Sequence, residues 1–368
     1  MQLSTVKDVL EHEGPYVSIH AEVSRHTEDA AQQLDARWRS IRSDLEEEGI
    51  DEATMQVLED ALREKPDVPG EVWATVVAAA GGEIVLHDVR AGHSTWPEGV
   101  EIGPLPDIAG LVTVTDGDVP FVLAVVDRQG ADIEAYRDLG RPTVDEREVH
   151  GHDSFITKVG QGWLSHRQHH NFVEENWKDN AREVADAIAS VAREHRPEVI
   201  VLAGDERART EVTDALQRGP VNTVDVVHVT AGGRADGASQ DALWEEVRRV
   251  LAAYEADALA DLIERLTRAR ADGQGQAGVH GLVPVLDALV KGQAETVVVD
   301  LHAAREASVR PSDHPGLPLP TGVDTDHPLP ADQVLIAAAA ATDAAVATLD
   351  AGHTGGDGIA ALLRWSDD

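Results

Sequence analysis

The chain has 368 residues with 67 Asp plus Glu against 31 Lys plus Arg, a formal net charge of −36, and no cysteine. Such a length exceeds one domain of ordinary size, and such a charge argues against generic binding of nucleic-acid phosphates, so DNA is not an expected partner. The absence of cysteine excludes disulfides, thiolate catalysis and cysteine-based zinc or iron–sulfur sites. Lys7 and Glu11 interrupt the apolar residues after Met1 and no apolar run reaches membrane-spanning length, which reads as a cytoplasmic protein with no signal peptide and no membrane partner. Lysine is confined to Lys7, Lys65, Lys158, Lys178 and Lys291, so positive charge is mostly arginine.

Three domains are expected, at residues 1–117, 118–270 and 271–368. In the first, alternation over 16–21 predicts a strand. Leu34, Trp38, Ile41 and Leu45, then Met55, Leu58 and Leu62, give the apolar faces of a helix hairpin whose tip, 46–52, is strongly acidic. Residues 73–80 and 83–89, joined by Gly81-Gly82, predict a β-hairpin with a two-residue loop. A further strand is expected over 111–115, before the polar break at Asp116-Gly117-Asp118.

The second domain opens with an apolar strand over 121–126, a turn at Asp127-Arg128-Gln129-Gly130 and an antiparallel return over 131–136. After an unusual loop, Val173, Trp177, Ala181, Val184, Ile188 and Val191 line one face of a long helix. Strands at 199–202 and 223–229 alternate with helices, which predicts a partly parallel sheet. Leu243, Val247, Val250, Leu251, Leu259, Leu262 and Leu266 mark a long helix leading to a glycine-rich hinge at 271–278. Beyond it, a helix at 283–289, a strand at 296–301, a Pro/His-rich loop at 310–330, an Ala-rich helix from Ala331 and strands near 345–349 and 359–365 predict an α/β/α sandwich.

The loop before the long helix is the most informative stretch. It runs Lys158-Val159-Gly160-Gln161-Gly162-Trp163-Leu164-Ser165-His166-Arg167-Gln168-His169-His170, inside a window between Asp153 and Glu174 that contains no carboxylate. In so acidic a chain, a cationic, glycine-rich, histidine-rich loop points to local contact with RNA or another anionic site. Trp163 either stacks on an unpaired base or folds into the domain core. Lys158 and Arg167 either meet phosphates or pair with nearby acids.

In order along the chain, these features resemble the archaeal and eukaryotic class-1 peptide chain release factors and their bacterial relatives. The hairpin at 121–136, the glycine loop ending in Arg167 and the long helix are similar to their middle domain. Gly281-Leu282-Val283-Pro284-Val285-Leu286-Asp287-Ala288-Leu289, with Thr296-Val297-Val298-Val299 and Gly358-Ile359-Ala360-Ala361-Leu362-Leu363-Arg364-Trp365, resembles their C-terminal domain. The resemblance implies an α+β and α/β chain of three domains: an N-terminal α/β domain with a helix hairpin at the decoding site, an RNase H-like middle domain and a C-terminal α/β/α sandwich.

Two departures bear on activity. Release factors carry Gly-Gly-Gln at the peptidyl-transferase centre, whereas counting back from Arg167 gives Gln161-Gly162-Trp163, and an indole has no carboxamide to position water. The family's codon-reading Asn-Ile-Lys-Ser is replaced by the acidic tip at 46–52. A tryptophan at this loop is similar to the Balon-type ribosome hibernation factors. That resemblance implies a stress-response factor, not an enzyme, which occupies the aminoacyl site of idle ribosomes in association with elongation factor Tu. Its RNA-facing residues would be Lys158, Gly160, Gln161, Gly162, Trp163, Ser165, His166, Arg167, His169 and His170, with no cofactor. The alternative is a peptidyl-tRNA hydrolase or rescue factor using Gln161 as its catalytic residue; a third reading keeps the fold without the ribosome.

Other constellations have plainer readings. His166 and His170, at helical spacing with Glu174 and Asp153 nearby, lack a full metal-ligand motif. Asp127, Glu134 and Asp205 could form a nuclease-like carboxylate set, but turn and helix-cap roles explain Asp127 and Asp205. Residues 204–210 lack the Gly-Lys-Ser/Thr of a phosphate-binding loop.

Overall fold

Alternating and helically spaced apolar residues build three larger sheets, each covered by helices, beside one two-stranded sheet. A computed structural model describes residues 4–25, 29–66, 68, 71–114, 119–141, 143–150, 163–233, 240–271 and 277–365, with the backbone alone at 4–5, 150, 163–178 and 241. After α1 (Ser4–Val9) come β1 (Tyr16–Glu22), α2 (Ala30–Glu47), α3 (Glu52–Arg63), β2 (Val72–Ala78), β3 (Ile84–Ala91), β4 (Gly99–Gly103) and α4 (Ala109–Thr113). The first sheet has the order β3-β2-β1-β4 and is antiparallel throughout. Val17, Ile19 and Ala21 of β1 pack against Leu34, Trp38, Ile41 and Leu45 of α2 and Met55, Leu58 and Leu62 of α3. The helix hairpin and its apolar stripes are therefore as the spacing predicts.

Two local readings change. The hairpin connection is wider than two residues: Ala79 N–H donates to the Glu83 carbonyl at 2.8 Å, and the register shifts between Val77 and Ala78. Residues 109–113 form α4, not a strand; a short apolar run does not distinguish the two by periodicity, and the β1 edge is already taken by β4. Gly110 of α4 lies so close to the His20 ring that a Cβ there would come within 2.3 Å of it. His20 is buried, stacked on Trp73 at 4.9 Å, with Nδ1 3.0 Å from Thr75 Oγ1 and Nε2 2.8 Å from Ser94 Oγ.

The second region comprises β5 (Phe121–Val126), β6 (Gly130–Tyr136), β7 (Asp145–His150), α5 (Trp163–His195), β8 (Val199–Gly204), α6 (Glu206–Gln217), β9 (Asp225–His228) and α7 (Gln240–Ala271). Its sheet runs β7-β6-β5-β8-β9. β7, β6 and β5 are antiparallel and β5, β8 and β9 parallel, in the expected RNase H-like order. Ala181, Val184, Ile188 and Val191 of α5 and Val212 and Leu216 of α6 cover one face, and Leu243, Val247 and Leu251 of α7 cover the other. Strand β7 was not anticipated, because its alternating residues are mostly charged.

The last segment contains β10 (Gly278–His280), α8 (Leu282–Val290), β11 (Ala294–Val299), α9 (Leu301–Glu306), β12 (Ser308–Val309), a 3-10 turn (Pro311–Asp313), β13 (Leu329–Pro330), α10 (Ala331–Ala341), β14 (Ala345–Thr348), α11 (Ala351–Thr354) and β15 (Ile359–Leu363). The sheet order is β10-β15-β11-β14. Val285, Leu289, Val334 and Leu335 of α8 and α10 pack on one face. Leu266 and Ala269 of α7 pack on the other, giving the expected α/β/α sandwich. Among the described residues, no helix is long and apolar enough to cross a membrane.

The chain gathers into two compact units: Met1–Asp116 with Ala258–Asp368, and Gly117–Asp257. Within the first unit one core joins Val6, Tyr16, Leu105 and Ile108 to Leu335, Ala338 and Val346. Arg305 stitches the same seam. Its Nη2 lies 2.7 Å from Asp107 and 2.6 Å from Asp332, its Nη1 lies 4.0 Å from Glu101, and its guanidinium sits over Trp96, which stacks on His302. The Asp332 side chain is fully buried, and burial pushes its carboxyl up against the pull of Arg305.

Removing that cation leaves a buried carboxylate without its partner, so Arg305→Leu is expected to lower unfolding free energy by about 3–5 kcal/mol in denaturant titration. Adding Asp332→Asn should recover part of the loss. A second expectation follows from His20, whose pKa burial lowers to about 4. With an ordinary value near 6.5 when unfolded, its contribution is complete above about pH 6.5 and is lost as pH falls toward 4, about 3 kcal/mol in all. Comparing unfolding of wild type and His20→Gln across that range measures it.

Candidate functional site

The structure places the sequence-predicted site residues in two groups. Lys158, Gly160, Gln161 and Gly162, with Asp153, lie outside the described residues. Trp163, Ser165, His166, Arg167, His169 and His170 lie on the first turns of α5, so the expected loop gives way to helical backbone at Trp163. His166 and His170 are one turn apart on that backbone.

What fixes α5 is visible further along. Asn180 is buried and its Nδ2 donates to the Arg128 carbonyl at 3.2 Å, tying the helix to the β5–β6 turn. That turn is closed by Asp127, whose Oδ1 accepts from Gln129 N at 2.7 Å and Gly130 N at 2.9 Å. Beside it, Asp205 caps α6 by accepting from Arg207 N and Ala208 N, both at 3.0 Å, and its Oδ2 is 3.5 Å from Arg128 Nε. Gly204 has φ +98°, and a Cβ there would stand 2.1 Å from the Val126 carbonyl oxygen, so only glycine lets β8 turn this closely beside β5.

The carboxylates considered for nuclease chemistry therefore do not converge. Asp127 and Asp205 border a cavity of about 20 Å³, room for about one water. Glu134 instead accepts from Tyr136 Oη at 2.7 Å and lines a different cavity with Leu243 and Trp244. Among the described residues, Asp145, Glu194 and His195 bring three potential metal ligands together. Arg147 already occupies the charge-balancing position, with Nη2 2.5 Å from Asp145 and 2.8 Å from Glu194. Its hydrogen bond holds the Asp145 carboxyl below the usual carboxylate range, with help from His195.

At the tip of the helix hairpin, Asp51 caps α3 through Thr54 N at 3.0 Å. Arg42 joins the two helices, 2.8 Å from Glu46 and 2.6 Å from Glu52. This tip stands where the release-factor resemblance would put codon-reading residues, and the Arg42 beside it is already paired with two of the tip's carboxylates. The sequence reading passed over a groove lined by β9 and α7 and, separately, the buried Arg209 of α6. The available signal was the spacing of Arg209, Val212 and Leu216, which puts an arginine on the buried stripe of α6.

The middle of the chain decides the kinship. Residues 120–272 match the bacterial archaeo-eukaryotic release factor family 2. The matched segment begins with β5 and ends with α7, so it takes in the five-stranded sheet and the helix that carries Trp163 and Arg167. The likeness to bacterial relatives of the archaeal and eukaryotic release factors thus holds for this segment. An uncharacterized protein of Mycobacterium tuberculosis strain H37Rv is 26% identical over 366 residues, covering 96% of this chain and 94% of its own. Its counterpart in strain CDC 1551 / Oshkosh matches equally. Among solved structures, the archaeal translation termination factor aRF1 is 15% identical over 99% of this chain and 97% of its own, with a TM-score of 0.25. The model of ribosome-bound archaeal Pelota and ABCE1 contains a chain 14% identical over 100% of this one and 94% of its own, with a TM-score of 0.42.

If Asp205 is a helix cap, Asp205→Ala should cost about 1 kcal/mol in unfolding free energy, with no change in nuclease background of the purified protein. A nuclease activity removed by this substitution would return Asp205 to a catalytic role.

Proposed function

We propose that the protein is a non-catalytic hibernation factor that occupies the aminoacyl site of idle ribosomes in the cytoplasm, with the 160–167 segment toward the peptidyl-transferase centre. The observation that carries this reading is the match of residues 120–272 to the bacterial archaeo-eukaryotic release factor family, combined with Trp163 where the family's catalytic glutamine is expected. Indole donates one hydrogen bond and accepts none, so it cannot orient water against an ester, but it offers a large face to an unpaired base. The acidic hairpin tip supports a factor that enters without reading a codon, since carboxylates there repel messenger phosphate.

The net charge of −36 supports delivery by a protein partner, for which elongation factor Tu is proposed. An unassisted approach to ribosomal RNA would work against long-range repulsion, most strongly at low ionic strength. The acid-free window 154–173 is where the contact is placed.

Cosedimentation of the purified protein with vacant ribosomes, with and without elongation factor Tu, tests the proposal alongside peptide release from loaded ribosomes. Binding without release is expected, and Trp163→Ala with Arg167→Ala should weaken binding by roughly tenfold or more, the scale of one lost stacking contact. Peptide release abolished by Gln161→Ala would instead make the protein a hydrolase, and binding unaffected by the double substitution would remove the loop as an anchor.

A further inference from the structure

Two pairs of acids face each other across β6 and β7. In the register of these strands Glu134 stands opposite Glu146, and Asp132 opposite Glu148. Directly opposite residues share one face of a sheet, and like charges in that arrangement repel. Arg147 lies between Glu146 and Glu148 in sequence and so points to the other face, where it meets Asp145, Ser190 and Glu194. Glu134 accepts from the Tyr136 hydroxyl at 2.7 Å and Glu146 from the Thr143 hydroxyl at 2.7 Å, and among the described residues no cationic side chain pairs with either. Asp132 and Glu148 have interactions of their own and add to the negative field. The Glu134–Glu146 pair thus lacks the shared guanidinium that serves Asp145 and Glu194.

A cavity of about 270 Å³ opens beside Glu134, a little below the size of drug-binding sites. Leu123 and Val125 of β5 and Leu243 of α7 give it an apolar wall, Tyr136 and Trp244 supply two rings, and Asp132 and Glu134 are its charged groups. No lysine, arginine or histidine lines it among the described residues. The two rings meet edge to face, with centroids 5.5 Å apart and planes at 86°, and Tyr136 is backed by Phe121, stacked at 4.7 Å. Burial, then the hydrogen bond to Glu134 and the charges of Glu134 and Glu146, push the Tyr136 hydroxyl well above its ordinary value. It therefore stays a neutral donor and cancels none of the negative charge.

This lining complements an organic cation. Ammonium N–H groups meet carboxylates, the positive charge meets the aromatic rings, and a methylene stem meets the aliphatic wall. A metal ion fits poorly, because rings and aliphatic side chains offer it no ligand, and among the described residues no third ligand gathers with Asp132 and Glu134. An anion is repelled.

We propose that the cavity binds an alkylammonium ion, with the nitrogen at Glu134 in the field of Glu146 and the stem against Leu123, Val125 and Trp244. A free polyamine and a lysine side chain carry the same group. The site shares no residue with 158–170, so it stands independently of the ribosome proposal.

Calorimetric titration of the full chain tests it with spermidine, N-acetyl-lysine amide and magnesium chloride, in about 0.15 M salt to screen long-range attraction to so acidic a surface. Spermidine or the lysine amide should bind, with magnesium roughly tenfold weaker or more. Glu134→Gln keeps the shape and an acceptor for Tyr136 and should weaken binding by about tenfold, the loss of one charge-assisted contact. Trp244→Leu changes no charge and should weaken it several-fold through the lost cation–π contact. Glu146 is exposed, so Glu146→Gln, also expected to weaken binding, tests the site even if the other substitutions disturb folding. Glu306→Gln removes the same charge from an exposed position on α9 and should leave binding unchanged. Tighter binding of spermidine assigns the site to a free polyamine, and tighter binding of the lysine amide assigns it to a side chain of a partner protein. The proposal is overturned if neither amine binds at millimolar concentration, if magnesium binds as tightly as spermidine, if Glu134→Gln, Glu146→Gln and Trp244→Leu leave binding unchanged, or if Glu306→Gln weakens it as much as Glu134→Gln.

Discussion

One guanidinium shared between two or more carboxylates is the interaction around which this acidic molecule is arranged. Arg37 serves Glu22 and Glu98, Arg42 serves Glu46 and Glu52, Arg63 serves Asp35 and Glu59, and Arg147 serves Asp145 and Glu194. Arginine suits this use because its planar head presents two donor edges at once, where an ammonium offers a point charge. Most of these pairs are solvent-washed and each adds little to stability. Arg305 differs because Asp332 is fully enclosed, and there the sharing decides whether the two sequence-distant parts of the first unit can close.

Much of the fold was legible because the hydrophobic pattern is regular where burial is one-sided. The stripes of α2, α3 and α5 and the apolar runs of β5 and β8 correspond to cores on the expected faces. Legibility failed where local pattern and tertiary role part company. Strand β7 alternates mostly among charged residues, and α4 is a short apolar run buried on all sides, which suits helix and strand equally. The Arg305 cluster could not be read at all, since Asp107 lies 198 residues away in the chain. The segment proposed to face the ribosome was chosen from the sequence, through the lack of acids from 154 to 173.

In the second unit, side-chain and backbone contacts tie α5 and β8 to the sheet. Asn180 holds α5 to the β5–β6 turn, Asp127 closes that turn, and Gly204 brings β8 against the Val126 carbonyl. These contacts give the helix carrying Trp163 and Arg167 a fixed base, as a binding segment requires when its own residues are few. Two of the carboxylates in this scaffold have structural roles, Asp127 closing a turn and Asp205 capping α6.

The discontinuity of the first unit shapes the order in which a nascent chain can acquire structure. Its shared core needs Val6 and Tyr16 together with Leu335, Val346 and Ala361, so it cannot be completed until nearly the whole chain has been synthesised. Gly117–Asp257, by contrast, has all its strands and core residues in one stretch and is able to fold while the remainder is still being made. During that interval Tyr16 and the apolar residues of α4 lack their later partners, and the high density of negative charge along the chain keeps such chains apart.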